Sequence, residues 1–151
     1  MSLNAEFRRI AACDTNSLRD AILRPGLPPG GSTYPGDDAP DTFHLGAFVG
    51  GTIIAVATLC RESQPDQSST TSWRLRGMAA LPEYRGQGLG KQLAQRSIAY
   101  AIEQSGTLIW CSARLVTVPF YRALGFTECG SPFLLPQYSD VPYIRMQRPL
   151  P

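Results

Sequence analysis

Histidine is almost absent from this sequence, with His44 the single copy. Zinc sites use closely spaced His and Cys ligands. The four cysteines, Cys13, Cys60, Cys111 and Cys129, stand far apart with no Cys-x-x-Cys pair, so no metal centre is expected. Charge is also scarce: 17% of residues are charged, the formal net charge is +2, and no basic run occurs. That balance argues against nucleic acid or an anionic membrane as partner.

Long apolar runs are missing too. The one extended uncharged stretch, Thr42 to Cys60, contains Gly46 and is divided by Gly50-Gly51. A spanning helix needs about 20 mostly apolar residues, so this stretch reads as two strands joined by a tight turn. Met1 to Arg9 has no apolar core of signal-peptide length. Cys60 and Cys111 lie in apolar strand-like runs suited to buried free thiols, and a reduced, cytoplasmic chain is expected.

What the sequence does hold is enough apolar residue for one core. Its 151 residues are 43% hydrophobic, which fits a single compact domain over residues 1–151. Phe7 to Ala12 reads as a first strand, and Asp14 or Thr15 as the cap of a helix over Ser17 to Leu23, ended by Arg24-Pro25-Gly26. Leu27 to Pro40, crowded with proline and glycine, is a long loop of the kind that carries function.

Phe43 to Val49 and Thr52 to Cys60 form a hairpin about Gly50-Gly51. Arg61 to Ser72 is a polar surface excursion, followed by a strand over Trp73 to Ala80. From Leu89 a helical stripe runs through Leu93, Ala94, Ser97, Ile98, Ala101 and Ile102, with Gly106 as its stop. Leu108 to Cys111 is a short buried-type strand. Pro119 opens a brief helix through Leu124, stopped by Gly125, and Phe126 to Cys129 and Tyr143 to Gln147 are the last strands. The predicted order is β-α-β-β-β-α-β-α-β-β, an α/β fold with a mixed sheet.

The most informative segment is Arg85-Gly86-Gln87-Gly88-Leu89-Gly90-Lys91. Alternating glycines remove the Cβ atoms that keep a ligand from the main chain. The N–H groups then converge at a helix start whose dipole favours an anion, and a pyrophosphate fits such a seat. A Walker A loop does not: only three residues separate Gly86 from Gly90, and Gln92 stands at the hydroxyl position. A Rossmann fingerprint counted from Gly86 puts Lys91 where glycine is required. A nucleotide-binding module is therefore disfavoured.

Leu75 to Gly90 resembles the acetyl-coenzyme A signature of the GNAT superfamily of N-acetyltransferases, and its Arg-Gly-x-Gly-x-Gly form matches Arg85 to Gly90 throughout. Phe120-Tyr-Arg-Ala-Leu-Gly-Phe is similar to the later Leu/Phe-Tyr-x-x-x-Gly-Phe block of that family. The resemblance runs from about Phe43 to Gln147. It implies a GNAT-like fold with a mixed, mostly antiparallel central sheet flanked by helices. It also implies acetyl-CoA as acyl donor and a primary amine, on a small molecule or a peptide, as acceptor. A homodimer would be in keeping with the family.

The resemblance further implies that the strand ending at Ala80 bulges and splays from the strand at Leu108, leaving a gap for the pantetheine arm. Backbone groups of Met78, Ala79 and Ala80 would pair with that arm. Arg85, Gly86, Gln87, Gly88, Leu89, Gly90 and Lys91 would hold the diphosphate, with Arg114 and Phe120 also at the cofactor. One departure is evident. Many members carry an asparagine seven residues before the tyrosine, where this chain has Arg114, and Thr117 holds the position three further on.

Tyr121 is the expected catalytic residue. The departing group is a thiolate whose thiol has a pKa of about 8.5, and a phenol of about 10 can donate a proton or hydrogen bond to it. No general base is assignable: Glu83 lies beside the phosphate seat, and Glu62, Asp140 and His44 read as surface or strand-end residues. The acceptor pocket is expected between the loop Leu27 to Pro40 and the segment Phe133 to Tyr143, which bring Tyr34, Tyr138 and Tyr143. Asp37, Asp38 or Asp140 would meet a cationic amine there, or else be solvated carboxylates. Trp73 and Trp110 read as core. A non-catalytic acyl-CoA binding or sensor domain is the alternative.

Overall fold

A computed structural model describes residues 4–28, 31–136 and 138–151, and for Tyr138 and Ser139 the backbone only. Seven strands form one sheet in the order β1-β2-β3-β4-β5-β7-β6. They are β1 Glu6–Arg9, β2 Phe43–Val49, β3 Thr52–Arg61, β4 Ser72–Ala80, β5 Leu108–Arg114, β6 Thr127–Leu135 and β7 Tyr138–Pro149. Every neighbouring pair is antiparallel except β4 and β5. Gly50 and Gly51 both have positive φ, 58° and 82°, the requirement of the two-residue turn read from the sequence.

The helices are α1 Asn16–Leu18, α2 Leu89–Glu103 and α3 Val118–Ala123. α2 lies on one face of the sheet and buries Leu89, Leu93, Ala94, Ser97, Ile98 and Ala101 against Leu45, Ala55, Ala57, Trp73 and Leu75. Ile102, counted in the stripe, is 39% exposed, because the 3.6-residue period has carried it off the buried face. The opposite face is covered where Leu18 packs with Val56 and Ala79.

α1 is only the middle of a longer helical run. A 3-10 turn Ala12–Thr15 precedes it and a π turn Arg19–Leu23 follows. The run thus begins earlier than Ser17, and the first strand ends at Arg9 rather than Ala12. Asp14 acts from inside the first turn, its Oδ2 accepting the amide of Ala11 at 3.1 Å, while the Thr15 hydroxyl donates to Ala12.

The end of α2 also differs from the expectation. Ser105, not Gly106, takes the left-handed conformation, with φ 60°. The amides of Gly106 and Ser105 donate to the carbonyls of Ala101 and Ile102 at 2.8 and 3.0 Å, a Schellman ending. Gly106 is glycine for space: a Cβ there would stand 2.6 Å from Trp73 Cδ1.

β6 and β7 are longer than the sequence suggested. Phe133 pairs with Tyr143 and Leu134 with Pro142, so the segment Phe133 to Tyr143, in which the sequence predicts no strand before Tyr143, belongs to two paired strands. Pro132 lies on the edge strand β6, in the irregularity between Cys129 and Phe133, and Pro142 lies on β7 before its pairing with β5 begins at Tyr143, so neither interrupts a two-sided ladder. Pro29, Gly30 and Gln137, which fall in the two expected pocket walls, lie outside the described residues, as does the side chain of Tyr138.

Candidate active site

The site begins as a fault in the sheet. Arg76 pairs with Thr58 and Ala79 with Val56, so Gly77 and Met78 together oppose Ala57. This is a bulge, and Gly77 supplies it with φ +64°. β4 pairs with β5 only at Ser72–Leu108, Trp73–Ile109 and Arg74–Trp110. Beyond Arg74 the two strands part, and the edge of β4 facing β5 is left without a strand partner.

A cavity of about 640 Å³ occupies the parting. Its floor is β4 from Arg74 to Ala80, and Ser112, Ala113 and Arg114 of β5 face them. Tyr121 and Thr117 close one side, Leu135 and Tyr143 another, and Ile22, Leu23, Arg24, Leu27, Gly31 and Tyr34 a third. Met78, Ala79, Ala80, Arg85, Arg114 and Tyr121 thus share one space.

Next to the cavity lies the glycine turn. Gly86 and Gly88 have φ +78° and +82°, and Gly88 is the residue from which α2 starts. The first amide of the helix to find its acceptor is that of Gln92, on the carbonyl of Gly88 at 3.1 Å. Among the described residues, the amides of Gly86, Gln87, Gly88, Leu89, Gly90 and Lys91 have no acceptor. Such a row of donors at a helix N-terminus is an anion seat.

The side chains of these residues differ in what they do. Leu89 is buried in the core at 3% exposure, so only its amide faces outward. Gln87 and Lys91 are exposed. Gly90 is confined by its neighbours: a Cβ would lie 3.4 Å from Phe120 Cζ and 3.6 Å from Met78 Sδ. Phe120 therefore backs the turn rather than lining the cavity.

Tyr121 is set by packing. Its ring meets Phe120 and Phe126 edge-on at centroid distances of 5.0 and 5.5 Å, and its hydroxyl has no hydrogen-bond partner among the described residues. Burial pushes the phenol well above its ordinary range. A phenol shifted in this direction is protonated near neutral pH, a state able to donate a hydrogen bond and not to take up a proton. Arg114 is exposed at the end of β5, and its carbonyl accepts the Thr117 hydroxyl at 2.7 Å.

The carboxylates do not gather here, and among the described residues no Asp or Glu lines the cavity. Asp37 is not a solvated loop carboxylate: it is 6% exposed and paired with Arg19 at 2.7 Å. Asp38 and Asp140 are exposed. His44 is interior rather than a surface residue, its Nδ1 bonded with Thr58 Oγ1 at 2.8 Å and its Nε2 with the Asp37 carbonyl at 2.9 Å. Glu62 binds Arg74 at 2.8 Å. None of these stands out as a base.

Sequence reasoning missed the arginines of β4. Arg74 and Arg76 reach the cavity from the face opposite Trp73 and Leu75, which are buried in the core. The signal was present in the alternation Trp73-Arg74-Leu75-Arg76, whose period of two puts both cations on one face of a strand.

Comparison with known proteins accords with this geometry. The model of the GNAT acetyltransferase family matches residues 15–126. YitI of Bacillus subtilis (strain 168), described as an uncharacterized N-acetyltransferase, is 37% identical over 131 residues, covering 87% of this chain and 88% of the relative. Among solved structures, an acyl-CoA N-acyltransferase from Pseudomonas aeruginosa superposes with a TM-score of 0.76 at 22% identity, covering 96% of this chain and 99% of the other. ElaA of Escherichia coli gives 0.77 at 17% identity, over 95% and 99%. On the family match and the identity to YitI, the chain belongs to the GNAT family of acetyltransferases and is an enzyme of acyl transfer.

Proposed function

We propose that this protein, as one N-acetyltransferase domain, moves an acetyl group from acetyl-CoA directly to a primary amine. The observation that carries the reading is the parting of β4 from β5 beside six amides without acceptors at the start of α2. In this reading the amides of Gly86 to Lys91 hold the diphosphate, with the charges of Arg85, Lys91 and Arg114 nearby. The pantetheine arm lies along the unpaired edge of β4 at Met78, Ala79 and Ala80, as an added strand would.

The amine nitrogen attacks the thioester carbonyl, a C–N bond forms, and a backbone N–H of β4 supports the resulting oxyanion. The C–S bond then breaks and the leaving sulfur takes a proton from Tyr121. Burial keeps the phenol protonated, so a hydrogen-bond donor is in place when the thiolate forms. The same burial makes it a weaker acid than a free phenol, and after any transfer Tyr121 regains its proton from solvent. The ammonium loses its own proton to water, since no carboxylate or imidazole lines the cavity among the described residues. Cys60 and Cys111, both buried free thiols, support a reducing cytoplasmic setting.

Calorimetry with coenzyme A and acetyl-CoA, followed by thiol release across an amine panel, tests the reading. Micromolar binding with amine-dependent thiol release is the expected result. Absence of affinity for any coenzyme A thioester would overturn it.

A further inference from the structure

Two guanidinium groups on the floor of the cavity share one carboxylate, that of Glu62, which is not itself among the described lining residues. Arg74 Nη1 donates to Glu62 Oε2 at 2.8 Å, and Arg76 Nη1 lies 3.6 Å from Glu62 Oε1. The side chains of Arg74 and Arg76 are only 21% and 19% exposed. Their Nε atoms are buried with no hydrogen-bond partner, and Arg76 donates no hydrogen bond to any described residue. The pair and Glu62 together leave one positive charge uncompensated.

Both groups are held in place. Arg74 lies over the Trp110 ring with Cζ 4.7 Å from the centroid, and Arg76 over the Tyr34 ring at 4.0 Å. Stacking fixes the planes of the guanidinium forks, so their N–H groups are set before a ligand arrives. A largely buried cation lacking an acceptor is costly. Burial, then the neighbouring charge of Arg74, pulls Arg76 below its ordinary pKa. An anion entering the cavity relieves both effects. On the facing segment, Arg24 Nη1 is also buried without a partner.

We propose that the acceptor amine carries an oxyanion, a carboxylate or a phosphate, which Arg76 and Arg74 grip at the floor of the cavity. The inference rests on the acetyl-transfer reading for its meaning but stands on a different part of the site. The cofactor phosphates are assigned to the turn at Gly86 to Lys91, at the start of α2, whereas these arginines sit on β4 before the bulge. The substrate is then an amino acid or an amino-phosphate rather than a polycation, and the cavity, having no acidic side chain among its described lining, offers a polyamine nothing to bind.

Matched pairs of amines, titrated by calorimetry into the enzyme saturated with coenzyme A, provide the test. β-Alanine against β-alaninamide probes a carboxylate, and O-phosphoethanolamine against ethanolamine probes a phosphate; the pair with the larger gap names the oxyanion. The expected result is about 10–100-fold tighter binding of the anionic member, the size of one charge-assisted hydrogen bond. In Arg76→Gln that gap closes while coenzyme A affinity is unchanged. Should Arg76→Gln not fold, Arg74→Gln carries the same measurement.

Equal binding of both members in each pair, or no binding of any member, overturns the inference. A fall in coenzyme A affinity on Arg76→Gln also overturns it, by assigning the cation to the cofactor. Wild-type protein that fails to bind coenzyme A counts against the donor reading instead, and the same pairs titrated into the free protein still decide the anion question.

Discussion

Arg19 and Asp37 meet inside the protein, Nη1 to Oδ2 at 2.7 Å and Nη2 to Oδ1 at 3.2 Å, with the arginine side chain fully enclosed. The same guanidinium reaches the Ser32 carbonyl and the Thr58 hydroxyl, and Asp37 Oδ2 also accepts the amide of Tyr34 at 2.9 Å. One ion pair thus ties the first helical run, the loop after it and β3 together behind the cavity wall.

Removing one partner of such a pair leaves an uncompensated buried charge. Asp37→Ala is therefore expected to cost about 3–5 kcal/mol, seen as a lowered denaturant midpoint. The pH dependence has a definite sign. Burial by itself raises the Asp37 pKa, but the Arg19 and Tyr34 hydrogen bonds and the charges of Arg19 and His44 outweigh it, and the net shift is downward. A lowered carboxylate contributes stability above its unfolded value, about 3.9, and loses it as pH falls through the folded value. Asp37→Asn should flatten acid unfolding below about pH 4, and an unchanged acid limb would refute this.

The ending of α2 supplies a second prediction, with two substitutions of opposite sign. Ser105 has φ 60° without being glycine, a conformation costing about 1 kcal/mol or more for an L-residue. Ser105→Gly is expected to raise the thermal midpoint. Gly106→Ala is expected to lower it, at a stability cost of about 1–3 kcal/mol, because the new methyl meets Trp73 Cδ1 at 2.6 Å and the Ala101 carbonyl at 2.8 Å. Two thermal melts decide the matter, and matching shifts in the same direction would show that the two roles have been misassigned.

These residues also show where sequence reading runs out. Local signals were legible: Gly50-Gly51 set the hairpin, the period of α2 set its buried face, and Gly125, with φ 92°, ends α3. Gly106 was identified as the stop, but its neighbour Trp73 comes from a distant strand that no local pattern reveals. Asp37 lies in a Pro- and Gly-rich loop and looked solvated, because its partner is 18 residues away and the pairing exists only after folding. The row of unpaired amides at the start of α2 was readable, since glycine spacing is local chemistry. The positive floor of the cavity was not, since it depends on two strands parting after Arg74.

The glycine turn gives a third prediction, for a reason the structure makes specific. A Cβ at Gly88 meets nothing within 4 Å, yet φ there is +82°. A β-branched residue has room but not the conformation, at a cost of about 1–2 kcal/mol. Gly88→Val should therefore swing the amides of Gly86 to Lys91 out of line, and coenzyme A binding by calorimetry should fall below detection. The sheet should survive, with a thermal midpoint only slightly lowered. Normal affinity would mean that these amides do not hold the diphosphate.

The last prediction concerns Tyr121. Its ring is wedged between Phe120 and Phe126, so Tyr121→Phe keeps the packing and deletes only a hydroxyl that bonds to no described residue. Stability should be nearly unchanged. If that hydroxyl protonates the departing thiolate, kcat falls by about 10²–10⁴-fold, while the affinity for acetyl-CoA holds. Burial has raised the phenol, so its ionisation lies above the usual phenol range of about 10, and no alkaline limb of the rate profile below that pH belongs to Tyr121. An amine acceptor turned over equally fast by wild type and Tyr121→Phe removes Tyr121 from the proton path. The thiolate then leaves unassisted, its thiol pKa of about 8.5 being low enough for release into a cavity whose floor is positive.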